Sequence, residues 1–177
     1  MDFSLLDSDF DEKSLRFLNL SPVKLVKSIA RAKLDYAVEK YAEKLEKEDI
    51  VLAADTIIFL DRKTVYGKPK NGEEARRMLS SYSARTHTVA TAIAACSKTG
   101  NKRVETCSLT KLSFSRLSKE DLDFLLQGDE WQGVAGAYRI QGKASFFIKK
   151  ITGSYSAVVG FPLHDFYSIA KKLKVSI

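Results

Sequence analysis

The sequence is poor in the residues that most often mark metal, redox and nucleophilic sites. It has two cysteines and two histidines in 177 residues. Cys96 and Cys107 lack a Cys-x-x-Cys spacing and a nearby histidine pair, which argues against a zinc site or a dithiol motif and makes them small core residues. His87 and His164 have no serine or cysteine marked out as a nucleophile, so both read as structural or surface residues. No apolar run approaches the ~20 residues of a membrane-spanning helix; residues 50–54 and 56–60 are separated by Asp55. The opening Met-Asp-Phe-Ser-Leu-Leu-Asp-Ser-Asp is acidic and lacks the basic flank and apolar core of a signal peptide, so the expected location is the cytoplasm. Gly-x-x-x-x-Gly-Lys-[Ser/Thr], Gly-x-Gly-x-x-Gly and Gly-x-Ser-x-Gly are all missing, and phosphate-loop, dinucleotide-fold and hydrolase-elbow readings lose support with them.

What is present fits one domain over residues 1–177, with 45% hydrophobic residues to build a core. A net charge of +7 favours anionic partners. The basic residues are mixed with acids and form no arginine-rich block, so a dedicated nucleic-acid surface is the weaker reading.

Ser21-Pro22 predicts a helix start, with the serine hydroxyl capping a first-turn N–H and proline at the first helical position. Val26, Ile29, Ala30, Leu34, Ala37, Val38, Tyr41 and Leu45 continue it as one apolar stripe. Residues 50–60 read as a strand covered on both faces, and Thr64-Val65-Tyr66 as a short returning partner. Asn71 and Glu74 predict a capping box for a second helix that buries Ala75, Met78, Leu79 and Tyr82. Alternation over 86–95 and 103–114 predicts a long antiparallel hairpin. Further helices are predicted from Ser118 and from Phe161-Pro162-Leu163. Six of the nine glycines fall between 128 and 160, where tight turns or close approach of backbone to a ligand would use them.

Asp55 interrupts an apolar strand, and Lys68 is held between Gly67 and Pro69. Each also has a bland reading, as a hydrogen-bonded structural carboxylate and as a turn. Asp9, Asp11 and Glu12 form either a solvated acidic loop or a site for Mg²⁺ or Mn²⁺, which prefer oxygen donors. Lys27 and Lys33 border the first helix's stripe, where lysines commonly snorkel to water. Together with Gln141 in the glycine-rich stretch, these residues suit a phosphoanhydride substrate, whose charge a metal and lysines would neutralise.

Several motifs then occur in order: Ala-Ala-Asp-Thr-Ile-Ile (53–58), Gly-Lys-Pro-Lys (67–70), Glu-Ala-Arg-Arg-Met-Leu (74–79), Arg-Thr-His-Thr-Val-Ala-Thr (85–91), Ala-Gly-Ala-Tyr-Arg-Ile-Gln-Gly (135–142) and Val-Val-Gly-Phe-Pro-Leu (158–163). This series resembles the Maf-type nucleotide pyrophosphatases over nearly the whole chain. The resemblance implies an α/β fold, with a twisted mixed β-sheet and flanking helices around an elongated cleft, and metal-dependent hydrolysis of a nucleoside triphosphate to monophosphate and pyrophosphate. It makes Asp55 the proton acceptor and a metal ligand, Lys68 the phosphate-binding lysine, Lys33 a further catalytic lysine of the cleft, Glu12 a further acidic metal ligand, and Thr56 and Gln141 the base-selecting residues. The Tyr-x-Ile-Gln-Gly form is similar to the branch acting on dTTP and UTP, rather than on 7-methyl-GTP. Mg²⁺ or Mn²⁺ is the implied cofactor; the expected partner is the nucleotide, without a membrane, and a homodimer is left open.

The family's usual opening strand and Ser-x-Ser-Pro-Arg-Arg segment have no match in the sequence, and Ser21-Pro22-Val23-Lys24 lacks the paired arginines. The expectation is therefore a sheet without its first strand. Two readings follow: a start placed too far downstream, or a shortened, catalytically impaired relative that binds nucleotide or a partner. A basic nucleic-acid-binding module, recognisable by salt-steep binding, is the third.

Overall fold

The continuous apolar segment and the alternating hairpin become neighbouring strands of one twisted layer. In the computed structural model the described residues are 3–6, 10, 11, 15, 20–45, 50–61, 64–97 and 102–175. Five strands pair in the order β2-β1-β3-β4-β5, with β1 Ile50–Phe59, β2 Val65–Tyr66, β3 Thr86–Ser97, β4 Arg103–Phe114 and β5 Ile148–Thr152. The expected α/β architecture with flanking helices is present. Every described pairing is antiparallel, rather than mixed in direction. The short connection from β1 to β2 and the β3–β4 hairpin impose that direction, since parallel neighbours would need long crossovers.

Helix α1, Pro22–Lys40, lies across one sheet face and buries Leu25, Val26, Ile29, Ala30, Leu34 and Ala37. Opposite it, Ala90, Ala92, Ala94 and Cys96 of β3 offer small side chains, which let a helix approach the sheet closely. Full burial of Val26, Ile29 and Leu34 stabilises the docking by roughly 1.5–3 kcal/mol per side chain, so α1 is a fixed platform. Ser21 departs from expectation: its side chain makes no cap, and its carbonyl receives the Leu25 N–H instead. The stripe also breaks at Tyr41 before a short helix α2, Ala42–Leu45.

The other face packs on α3, Gly72–Tyr82, and α4, Lys119–Leu126, with Ile58, Leu79, Tyr82, Val89, Leu112 and Phe114 in the shared core. Asn71 caps α3 through the Glu74 N–H, while the Glu74 carboxylate turns to the Lys70 N–H. Ser118 and Asp121 form the capping box of α4. Arg76 of α3 pairs at the surface with Asp123 of α4 and clamps the two helices. A third cluster sets α6, Leu163–Leu173, against Ile93 and Ala95.

Between β5 and α6 lies a helix the sequence pattern did not reveal, α5, Tyr155–Val159, capped by Ser154 on the Ala157 N–H. It packs on β3 and β4. Both cysteines are free, and burial pushes their thiols up in pKa, as expected for packing residues rather than reactive ones.

Candidate active site

Strand β1 builds the site from both of its faces at once. Successive side chains on a strand point in opposite directions, so Asp55 turns toward α1 and Thr56 toward α5. Asp55 is 9% exposed and accepts a hydrogen bond from Lys33 Nζ at 2.6 Å. Lys33 itself is mostly buried, with 18% of its side chain exposed. The lysine at the edge of the α1 stripe therefore bends inward to the carboxylate rather than out to water. Lys27 reaches Glu105 of β4 at 3.6 Å and stays outside the cleft.

On the other face Thr56 Oγ1 lies 2.9 Å from Thr91 Oγ1, its direct cross-strand neighbour on β3. Thr91 is fully buried and donates its hydroxyl proton to the Ala157 carbonyl of α5 at 2.7 Å.

Lys33, Asp55, Thr56, Lys68 and Gln141 all line one open cleft of about 230 Å³, together with Ala135, Tyr138, Arg139 and Val159. Five residues proposed from sequence are thus brought together. The sixth, Glu12, lies outside the described residues. Lys68 is exposed at the cleft, and Pro69 behind it is buried. The Gly136 N–H donates to the Gly67 carbonyl at 2.9 Å, tying the loop that presents Lys68 to the loop that presents Gln141. Gly136 has φ +72°, and a Cβ there would lie 2.4 Å from Ile58 Cδ1 and 2.8 Å from Tyr82 Oη. Only glycine fits this crossing.

Beneath the cleft, His87 Nε2 and Tyr138 Oη are 2.7 Å apart, enclosed by the rings of Tyr82 and Phe114. Burial lowers the His87 pKa from 6.5 to about 4 and raises that of Tyr138. His87 is neutral near pH 7 and acts as a pillar under Tyr138, in line with its structural assignment. Arg139 is exposed at the rim between buried Tyr138 and Ile140. Its motif was legible, but its place at the cleft depends on which face of the loop points outward.

Among the described residues no group of three or more His, Cys, Asp or Glu converges on a metal position. Asp55 does offer a carboxylate in the cleft. That donor fits Mg²⁺ or Mn²⁺, which need few protein ligands because water and substrate phosphates complete their shell.

An α/β scaffold with an ion-paired carboxylate, a cationic mouth and an apolar wall in one cleft defines a class of proteins that handle small phosphorylated ligands. Comparison with known sequences gives that class a family. The profile described as Maf-like protein matches residues 1–173. A dTTP/UTP pyrophosphatase of Treponema denticola is 40% identical over 182 residues, covering 99% of this chain and 88% of that protein. One from Clostridium acetobutylicum is 36% identical over 179 residues, covering 99% and 89%, and one from Polaromonas sp. is 38% identical over 145 residues, covering 82% and 70%. The chain belongs to the Maf family.

Proposed function

We propose that the protein is a nucleoside triphosphate pyrophosphatase that converts dTTP and UTP to the monophosphate and pyrophosphate. The carrying observation is the convergence of Asp55, Lys33 and Lys68 with Thr56 and Gln141 on a single cleft. The charged residues gather where a triphosphate needs neutralising. Thr56, Gln141, Ala135 and Val159 supply a less charged wall suited to a base, and the names of the three relatives support the pyrimidine preference.

Water attacks the α-phosphorus, and the bond from that phosphorus to the oxygen bridging to the β-phosphate breaks. Asp55 receives the proton of the attacking water. Lys33 and Lys68 stabilise the charge that collects on the departing pyrophosphate. Tyr138, braced by His87, and the Gly67–Gly136 link keep the two loops in register, so that binding does not have to order them. Asp55 and Glu12 would hold Mg²⁺ or Mn²⁺, which when bound supplies charge neutralisation on the phosphates and a lowered pKa for water.

The test is product analysis with dTTP, UTP, dCTP and dGTP in Mg²⁺ or Mn²⁺. Equal amounts of monophosphate and pyrophosphate from dTTP and UTP support the proposal. Binding without turnover would instead identify a nucleotide-binding relative.

A further inference from the structure

The hydroxyls of Thr56, which lines the cleft, and Thr91, buried behind it, have a definite direction. Thr91 has a single hydroxyl proton, and it goes to the Ala157 carbonyl. The Ala157 carbonyl has no proton to return. At the 2.9 Å contact between Thr56 and Thr91, Thr91 can therefore only accept, and Thr56 must donate. The one proton of Thr56 is thereby turned into the protein, and only its lone pairs are left for the cleft that it lines.

We infer that Thr91 is a specificity-positioning residue, which fixes Thr56 as a hydrogen-bond acceptor for the imide N3–H of a thymine or uracil base. This rests on the proposed pyrimidine nucleotide reading and adds a residue to it. Without the relay, a threonine hydroxyl can donate or accept and would suit either thymine or cytosine. With it, the N3 lone pair of cytosine meets the lone pairs of Thr56, while the N3–H of thymine or uracil is matched. A donor–acceptor mismatch in a desolvated site costs more than the matched contact gains, because a polar group is left without a partner.

The relay is well built for the task. Thr91 is fully buried in the central strand β3, and it stands opposite Thr56 in the strand register. The second lone pair of the Ala157 carbonyl is taken by the Gly160 N–H at 3.1 Å, which fixes that carbonyl in turn. Thr91 reaches the ligand only through Thr56.

The experiment compares kcat and KM for dTTP and dCTP in the wild type, Thr91→Val, Thr91→Ser and Thr56→Val. Thr91→Val frees the Thr56 proton, and the dTTP over dCTP preference in kcat/KM is expected to fall by about tenfold to a hundredfold, mainly through a lower KM for dCTP. Thr91→Ser keeps the relay and the preference. Thr56→Val removes the acceptor and also erases the preference; it alters a half-buried side chain, so it tests the inference even if Thr91→Val fails to fold. Unchanged preference in folded Thr91→Val, or in Thr56→Val, overturns the inference, as does a wild type that treats dCTP and dTTP alike. If the wild type releases no pyrophosphate, the hydrolytic reading fails by itself. Competition of dTTP and dCTP against a fluorescent dUTP analogue then reads the same preference, with the same outcomes deciding.

Discussion

Lys33 Nζ and Asp55 Oδ1 are 2.6 Å apart, joining helix α1, docked by its apolar face, to the middle of strand β1. The pair is a structural tie in the cleft and, in the proposed mechanism, the source of the base, and these roles separate on mutation. Asp55→Asn keeps the shape and an oxygen for Lys33 but removes the base, and the expected result is loss of pyrophosphate release with the fold retained. Asp55→Leu removes the ion pair that ties the mostly buried Lys33 to β1, and a stability loss of up to about 3–5 kcal/mol is expected. Urea unfolding beside a pyrophosphate assay checks both; full turnover by Asp55→Asn would remove Asp55 from the chemistry.

Gly136→Ala is expected to be costly in two ways. The residue has φ +72°, and its new Cβ would press on Ile58 and Tyr82. A destabilisation of roughly 1–3 kcal/mol is expected from overpacking. The loop bearing Gln141 is also expected to shift against the one bearing Lys68, which would raise KM for dTTP. A variant with wild-type stability and KM would show that the Gly67–Gly136 link does not organise the cleft.

His87 makes stability depend on pH in a defined window. Its pKa falls from 6.5 to about 4 on burial, so the unfolded chain takes up the proton first. Stability is complete above about pH 6.5 and declines as pH falls toward 4. The loss from this group approaches about 3 kcal/mol once both states are protonated. Urea midpoints for the wild type and His87→Phe between pH 7 and 5 isolate this contribution from carboxylates that titrate lower. Equal slopes in the two proteins would contradict the assignment.

Much of the scaffold was legible because its signals are local. The α1 stripe, the alternation of β3 and β4, and the Asn71 and Ser118 caps each lie within a few residues of the structure they specify. Asp55 stood out because a charge in an apolar strand demands a partner. The partner was less legible: Lys33 sat beside a stripe, and periodicity alone left it facing water. Only the docking of α1 on the small residues of β3 brings its ammonium to Asp55.

The same limit hid the pairing of Arg76 with Asp123 and the hydrogen bond between His87 and Tyr138, since each joins distant segments. Helix α5 is five residues long, too short for a periodic pattern, and Ser154 was its one local signal. The ordered motifs carried what spacing could not, grouping Thr56, Lys68 and Gln141 before the fold did. They did not reveal the direction of the hydroxyl relay, which depends on Thr91 and the Ala157 carbonyl meeting behind the cleft.

The most direct test of the central claim is hydrolysis of dTTP in ¹⁸O-labelled water with Mg²⁺ or Mn²⁺, followed by mass spectrometry of both products. Attack at the α-phosphorus predicts one labelled oxygen in dTMP, unlabelled pyrophosphate, and no reaction with Asp55→Asn. Label in pyrophosphate, formation of dTDP with orthophosphate, or no turnover by the wild type would contradict it.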